Sequence, residues 1–195
     1  VRVCVDAGHG YPDPGAVGPS GLGEADVTLL CAQAMADQLK ALGHQVVLTR
    51  EDRNALDRDK ATDLTARARK ANNARCDAFV SIHCNSVADR AANGSETWHY
   101  PRSTLGKRLA EHLQAALVNT GLLRDRGIRQ SAGLAVLRLT GMPAALVELG
   151  FLSNPEEEER FSDAEWLSRV AKALADAVDK WGQSQSSETP QSPPA

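Results

Sequence analysis

Short apolar, β-branched segments alternate with longer segments of helical periodicity along almost the whole chain. The predicted strands are Val1–Val5, Gln45–Thr49, Asp77–His83, Gly94–Tyr100, Leu134–Leu137 and Ala144–Leu149. The predicted helices are Glu24–Leu42, Leu64–Ala74, Ser103–Thr120 and Asp163–Trp181. Strands that alternate with helices of this length form a largely parallel sheet covered on both faces. The pattern therefore predicts a single α/β domain with a twisted, mostly parallel sheet of about six strands, flanked by helices.

The end of the chain differs in composition from this domain. Gly182 follows the last predicted helix, and residues 183–195 are rich in Ser, Gln and Pro without an apolar anchor. We therefore predict one domain over residues 1–182 and a disordered tail or linker stub over residues 183–195. No apolar run approaches the roughly 20 residues that span a bilayer, so membrane insertion is not expected. The sequence begins directly with the first predicted strand, so we expect no signal peptide within this chain.

Charge, aromatic content and cysteine content exclude three classes of protein. The formal net charge is −3, so a nucleic-acid binder that neutralises phosphates is not expected. Aromatic residues make up only 4% of the chain, which argues against a sugar-binding module with exposed stacking platforms. Four cysteines in 195 residues do not form a disulfide scaffold, and they leave the redox compartment undecided.

Four groups capable of metal binding or acid–base chemistry fall at one edge of the predicted sheet. His9 follows the first strand, His83 ends the third, and Glu148 lies at the end of the last. Glu24 begins the first helix directly after a glycine-rich loop. Ligands collect at the carboxyl ends of parallel strands, so we expect these side chains to lie together. Because two imidazoles and a carboxylate are a common ligand set for catalytic zinc, His9, Glu24 and His83 are candidate ligands.

Each of these residues also has an ordinary structural interpretation. His9 is compatible with a turn residue, His83 with a hydrogen-bonded core histidine, and Glu24 with a favourable charge at a helix N-terminus. Glu148 interrupts an otherwise apolar run, where an unpaired charge is unfavourable. Such surroundings raise the pKa of a carboxyl group towards the range of a general base and acid. The structural alternative for Glu148 is a buried ion pair with a nearby arginine.

Several short motifs occur in a fixed order along almost the entire chain. They are DAGHG (residues 6–10) with DPGA (13–16), GE (23–24), LTR (48–50) with Arg67 and AN (71–72), SIHCN (81–85), and PAALVELGFLSN (143–154). This series resembles the zinc-dependent N-acetylmuramoyl-L-alanine amidases, the type that includes bacterial cell-separation amidases and phage endolysins. The resemblance implies that His9, Glu24 and His83 bind Zn2+ and that Glu148 is catalytic. Cys84 stands where Ala is frequent in the family, and we expect it to be structural because adjacent strand residues face opposite sides.

The resemblance also implies a substrate and a place of action. The expected substrate is peptidoglycan, cut by a monomer at the amide between N-acetylmuramic acid and L-alanine. The enzyme would act at the cell wall, in the periplasm, outside the cell, or after release of a phage product at lysis. Zinc is expected to polarise the scissile carbonyl, and Glu148 to move the proton of the attacking water to the leaving amine.

Further residues are candidates for supporting roles. The candidates for binding the carboxylates of the stem peptide are Arg126, Arg129 and Arg138, with solvated surface as their alternative. Asp6 is a candidate for orienting the metal-binding imidazoles. Only residues 86–93 separate the strand of His83 from the next strand. An insertion that blocks the site, as in some relatives, is therefore not expected.

Two other functions are compatible with the same motifs. A non-catalytic wall-binding domain would share the fold but have a damaged site, whereas all four expected residues are present. A zinc peptidase that cuts within the stem peptide would keep the site and release different fragments. The composition of the products therefore distinguishes these functions, since an amidase frees a stem peptide that begins with L-Ala.

Overall fold

A six-stranded sheet forms the centre of the computed structural model, which describes the backbone of residues 1–188 and the side chains of residues 1–185. The strands are β1 (Arg2–Ala7), β2 (Gln45–Leu48), β3 (Ala78–Asn85), β4 (Ser95–His99), β5 (Asp125–Gln130) and β6 (Ala144–Phe151). They lie in the order β2-β1-β3-β6-β4-β5. Neighbouring strands are parallel except β4 and β6, which are antiparallel. The predicted fold class is confirmed.

Six helices cover the two faces of the sheet. They are α1 (Glu24–Ala41), α2 (Lys60–Asn73), α3 (Thr104–Asn119), α4 (Ala135–Leu139), α5 (Pro155–Phe161) and α6 (Ala164–Glu188). Helices α1 and α3 both pack against α6 on one face, whereas α2 packs against α4 on the other. Successive side chains of β1 point to opposite faces of the sheet. Val3 and Val5 join the larger apolar cluster on one face, and Cys4 joins the smaller cluster on the other. None of the helices within residues 1–188 is long and apolar enough to cross a membrane.

The structure corrects one predicted strand. Residues 134–137 were expected to form a strand, but Ala135 instead begins the short helix α4. The sixth strand of the sheet is β5, whose sequence DRGIRQ contains Ile128 as its one large apolar residue. A short apolar run does not distinguish a strand from a buried helix. An edge strand such as β5 buries less of its surface, so its sequence lacks the apolar run that marks a central strand.

The closing helix also runs further than predicted. Helix α6 ends at Glu188 rather than near Gly182, so the first residues of the expected tail are helical. Ser and Gln have middling helix propensity and do not interrupt a helix that is already formed. Gly182 lies against Val1, whose methyl carbons would be 3.4 Å from an added Cβ. The rest of the predicted tail, residues 189–195, lies outside the described residues.

The order of the central strands determines where a site can form. Strands β1, β3 and β6 are parallel neighbours, so their carboxyl ends lie side by side at one edge. Ala7 at the end of β1 is in register with Ile82, and His83 is in register with Glu148. The loop after β1 and the side chains of β3 and β6 therefore meet at this edge.

Candidate metal centre

Two strands and a helix bring together the three residues proposed as metal ligands. His9 lies in the loop after β1, His83 lies on β3, and Glu24 is the first residue of α1. One potential ligand atom from each residue lies within 4.8 Å of the other two. The imidazole rings of His9 and His83 meet edge to face, with centroids 5.0 Å apart. Each histidine side chain keeps 17% of its surface exposed, so the cluster is accessible from solvent.

The carboxylate of Glu24 connects the two imidazoles. Its Oε1 lies 2.9 Å from Nδ1 of His83, and its Oε2 lies 3.2 Å from Nε2 of His9. The backbone N–H groups of Ala16 and Cys84 donate to Oε2 and Oε1 at 2.9 and 3.0 Å. Burial disfavours the ionised carboxylate, but the hydrogen bonds with His83 and His9 hold the pKa of Glu24 well below its ordinary value. The side chain is therefore ionised and fixed in position, as a metal ligand must be.

Asp13 holds the ring of His9 from the side opposite to Glu24. Its Oδ2 lies 2.9 Å from Nδ1 of His9, and its Oδ1 accepts a hydrogen bond from the backbone of Gly15 at 2.9 Å. A carboxylate on one ring nitrogen fixes the tautomer that leaves the other nitrogen available to a metal. Burial opposes protonation of His9, but Glu24 and Asp13 together raise its pKa. The sequence interpretation assigned no role to Asp13, although it begins the DPGA motif.

Asp6 hydrogen-bonds to residues that surround the site rather than to the two imidazoles themselves. It is fully buried and accepts hydrogen bonds from Thr49 at 2.7 Å, Ser81 at 2.6 Å and Arg67 at 2.9 Å. Within the described side chains it makes no hydrogen bond to either imidazole. Burial raises the pKa of Asp6, but Arg67 and the two hydroxyl groups lower it overall. Arg67 also donates to the backbone oxygen of His9, so Asp6 is linked to the loop that carries this candidate ligand through Arg67.

Two glycines let the loop backbone pack directly against the ligands. An added Cβ at Gly8 would overlap the imidazole of His83. At Gly15, where φ is +69°, an added Cβ would lie 2.5 Å from Oε2 of Glu24. His9 itself has φ of +61°, which a residue with a side chain rarely adopts. The loop therefore depends on surrounding hydrogen bonds, including the one that Arg67 donates to the backbone oxygen of His9 and the one that Asp13 accepts from the His9 ring.

Glu148 lies beside His83 on the adjacent strand, in register and on the same face of the sheet. Its Oε2 atom is buried and has no hydrogen-bond partner. Burial raises the pKa of Glu148 to about 7, repulsion from Glu24 and Glu96 adds to the increase, and His83 opposes it. The carboxyl group therefore exchanges its proton near neutral pH, which suits general acid–base chemistry.

Two of the three candidate arginines lie near Glu148 but pair with another carboxylate. Arg126 and Arg129 project from β5, and the Nε atom of each lies 3.0 Å from Oε2 of Glu96. Glu96 is the direct cross-strand neighbour of Glu148. Within the described side chains, Glu148 therefore lacks the arginine ion pair that was its structural alternative. The sequence did not single out Glu96. The alternation of polar and apolar residues along β4 does not show that Glu96 lies opposite Glu148.

Arg138 lies at a different place on the surface. It lines a pocket together with Tyr100 and Ala144. Ala144 begins β6, whereas Glu148 lies four residues further on, about 13 Å along an extended strand. The structure therefore does not bring Arg138 to the cluster of His9, Glu24 and His83.

The arrangement suits a zinc ion in three respects. Two imidazoles and one carboxylate leave a fourth position for water or substrate. Glu24 is already ionised, and the unpartnered carboxylate oxygen of Glu148 lies on the strand next to His83. Cys84 belongs to the larger apolar cluster on the opposite face of the sheet, so its thiol does not join the ligand set.

Comparison with known proteins gives a consistent result over the whole described fold. The profile of the N-acetylmuramoyl-L-alanine amidases, Amidase_3, matches residues 3–180. The Bacillus subtilis protein YqiI is 35% identical over 181 residues, which cover 92% of this chain and 84% of YqiI. The N-acetylmuramoyl-L-alanine amidase LytC of Bacillus subtilis is 35% identical over 178 residues. These cover 90% of this chain but only 34% of LytC, so the chain spans about a third of that relative.

A solved structure agrees with the sequence comparison. The N-acetylmuramoyl-L-alanine amidase AmiC2 of Nostoc punctiforme superposes with a TM-score of 0.86 at 34% sequence identity. The superposition covers 94% of this chain and 97% of AmiC2. With a profile match over nearly the full length and relatives above 30% identity, the chain belongs to the Amidase_3 family of N-acetylmuramoyl-L-alanine amidases.

Proposed function

We propose that the chain is a zinc-dependent hydrolase of the amide bond between N-acetylmuramic acid and L-alanine in peptidoglycan. The observation that carries this proposal is the convergence of His9, Glu24 and His83 beside Glu148, whose buried oxygen has no partner. Membership of the amidase family supports the same reaction. We further propose that the protein acts as a monomer at the cell wall, in the periplasm, outside the cell or after phage-induced lysis.

The ligand residues would hold the metal ion in a prepared site. His9, Glu24 and His83 would bind Zn2+, with Asp13 fixing the ring of His9. When bound, zinc supplies Lewis-acid polarisation of the scissile carbonyl and promotes the deprotonation of water. Glu24 is ionised and held by two backbone N–H groups, and a bound ion would replace its contacts with the two imidazoles.

Glu148 would move the proton during hydrolysis. Its ionised form would accept a proton from the attacking water, and its protonated form would return that proton to the leaving nitrogen of L-alanine. In the metal-free protein, burial raises the pKa of Glu148 to about 7. The C–N amide bond breaks, and the products are the lactyl carboxylate of the sugar and the free amine of the stem peptide. Arg126 and Arg129 would bind carboxylates of that peptide, whereas Arg138 would reach only parts of the substrate remote from the scissile bond.

Access to the site is proposed to be permanent. The segment that connects β3 to β4 is the short loop 86–94. The imidazoles of His9 and His83, at the carboxyl ends of the central strands, remain partly exposed to solvent. The protein is therefore expected to cleave purified peptidoglycan without an activating partner.

The replacement Glu148→Gln tests the acid–base role. The variant keeps the shape of the side chain and all three metal ligands, so we expect it to bind one zinc ion and to lose about 10²–10⁴-fold in kcat. Glu111→Gln, on the exposed surface of α3, is the matched control and retains activity. Normal cleavage of purified peptidoglycan by Glu148→Gln would show that the proposed proton transfer is wrong. Chelator treatment should abolish wild-type activity, and added zinc should restore it.

Mass spectrometry of the digest distinguishes the proposal from its alternatives. An intact stem peptide with a free L-Ala N-terminus supports the amidase. Fragments cut within the stem would instead identify a zinc peptidase of another specificity. Binding to the wall without release of any peptide would identify a non-catalytic wall-binding domain.

A further inference from the structure

A buried carboxylate holds two arginines in one cluster next to Glu148. The side chain of Glu96 is only 4% exposed, and its Oε2 lies 3.0 Å from Nε of both Arg126 and Arg129. Its other oxygen accepts a hydrogen bond from Asn85 at 3.1 Å. We call Glu96, Arg126 and Arg129 the Glu96 cluster. Both oxygens of Glu96 are thus occupied: Arg126 contacts Oε2 through an Nε hydrogen bond, and Arg129 contacts it through an ion pair.

Aromatic rings fix the two guanidinium groups further. The Arg126 guanidinium lies 4.7 Å from the centre of the Phe151 ring, and that of Arg129 lies 5.8 Å from the centre of the Trp98 ring. These are cation–π distances, and a planar guanidinium held at Nε and at one face has little rotational freedom left. The arginines are therefore preorganised even though their side chains are 28% and 44% exposed.

The outer nitrogen atoms of both arginines are available. Within the described side chains, no Nη atom of Arg126 or Arg129 donates a hydrogen bond. The cluster combines two positive charges with one negative charge, so it carries a net charge of +1. One arginine would be enough to neutralise Glu96. The second leaves an uncompensated charge and forked N–H donors at the surface, which is the geometry that binds a carboxylate.

The Glu96 cluster lies on the two strands next to the strand that carries Glu148. Glu96 is the cross-strand neighbour of Glu148, and β5 is the next strand beyond β4. Two strand spacings, about 10 Å, therefore separate the backbones of β6 and β5. The arginine side chains span part of this distance, because they reach back to Glu96. In an extended peptide, the second residue lies at most about 7 Å from the cleaved nitrogen of the first residue. This distance is of the same order as the separation of the two strands.

We propose that Arg126 and Arg129 form a subsite for the free carboxylate of the second stem-peptide residue, and that Glu96 is the positioning residue of this subsite. The inference rests on the proposed amidase function and adds a substrate preference to it. A carboxamide at the same position lacks the negative charge and replaces one acceptor oxygen with a donor. The enzyme therefore favours stems with a free carboxylate over stems in which that group is amidated.

Matched soluble N-acetylmuramoyl peptides test the preference. The two substrates differ only in a carboxylate or a carboxamide on the second residue, and a third carries an amide at the C-terminus instead. For the wild type we expect KM for the carboxamide to be about tenfold higher or more, with kcat little changed. The C-terminal amide should leave KM unchanged. An equal increase for that peptide would show that the arginines bind the terminal carboxylate, and would overturn the assignment to the second residue.

Variants of the cluster complete a thermodynamic cycle. In Arg129→Gln, we expect KM for the carboxylate substrate to rise and the ratio of the two KM values to fall towards one. Glu96→Gln keeps both arginines but removes the negative charge that positions them and one of the two acceptor oxygens, so the same ratio should fall while zinc content stays unchanged. Arg169→Gln, on the exposed surface of α6, is the control and keeps the wild-type ratio. If a variant loses kcat or stability but keeps the wild-type ratio of the two KM values, the Glu96 cluster has only a structural role and the proposed subsite is wrong.

Equilibrium binding separates this proposal from the amidase function. The zinc-loaded Glu148→Gln variant binds the two peptides without turning them over, so calorimetry measures the preference directly. Tighter binding of the carboxylate supports the subsite even where the wild type cleaves neither peptide, and equal affinity overturns it even where the wild type cleaves both. Arg129 is partly exposed, so its replacement by Gln tests the idea independently of any folding defect in Glu96→Gln.

Discussion

Replacing Glu148 with Gln should stabilise the metal-free protein, and the gain should grow as the pH rises. The structure buries Oε2 of Glu148 without a partner, and burial raises the pKa of this carboxyl group from 4.5 to about 7. The folded state therefore holds the proton more tightly than the unfolded state does. Below pH 4.5 both states are protonated, and ionisation has no effect on stability. Between pH 4.5 and pH 7 the unfolded state ionises while the folded state keeps its proton, so the wild type loses stability over this range and the loss levels off above pH 7.

The magnitude follows from the two pKa values. Each pH unit of difference corresponds to about 1.4 kcal/mol, so the penalty well above pH 7 approaches roughly 3 kcal/mol. Between pH 5 and pH 8.5, linkage predicts that the unfolding free energy of Glu148→Gln relative to wild type increases by about 2.5 kcal/mol. Effects of the amide that do not depend on pH, such as its own unmet hydrogen bonds, cancel in this difference.

Urea denaturation of chelator-treated protein at the two pH values measures the effect. Glu111→Gln removes one exposed carboxylate from α3 and controls for the change in net charge. The same wild-type-to-variant difference at pH 5 and pH 8.5 would refute the claim that Glu148 is a neutral-range acid held by burial. The measurement requires no substrate, so it tests the electrostatics of the site separately from its catalytic role.

Three further substitutions have defined outcomes. Arg67→Met leaves Asp6 buried without its counter-ion, so the unfolding free energy in urea should fall by about 3–5 kcal/mol, and a loss below about 1 kcal/mol would contradict the network. Gly8→Ala places a methyl group against the imidazole of His83, so the zinc affinity, measured by competition with a chelator, should be at least about tenfold weaker. An unchanged affinity would contradict the close contact between Gly8 and His83. Asn154→Ala removes the side chain that caps α5, so thermal unfolding should reveal a loss of about 1 kcal/mol, and an unchanged midpoint would show that the cap contributes nothing.

The central part of the fold was predictable because strands that are buried on both faces have nearly continuous apolar sequences. Strands β1, β3 and β6 are covered on both faces, so their sequences are nearly continuous apolar runs. His83 and Glu148 stood out because they interrupt such runs near the strand ends. The parallel arrangement then implied that both lie at one edge with His9, which is where the structure has them.

The outer part of the site depends on contacts that the sequence does not encode locally. Strand β5 is an edge strand with little apolar character, and the nearby apolar residues belong to helix α4 instead. Glu96 becomes informative only when the strand order places it opposite Glu148. Asp13 is four residues from His9, and its role depends on a loop whose backbone is held by Arg67. Long-range pairings of this kind require the three-dimensional structure.

The single antiparallel pairing in the described sheet, between β6 and β4, separates two groups of side chains. On one side, the candidate metal ligands come from the loop after β1, from α1 and from β3; on the other, β4 and β5 contribute Glu96 and the two arginines. If the proposed subsite is right, sequence changes in β4 and β5 alter the substrate preference and leave the three candidate metal ligands in place. The proposed function therefore predicts that exchanging β4 and β5 between relatives changes the preferred stem peptide.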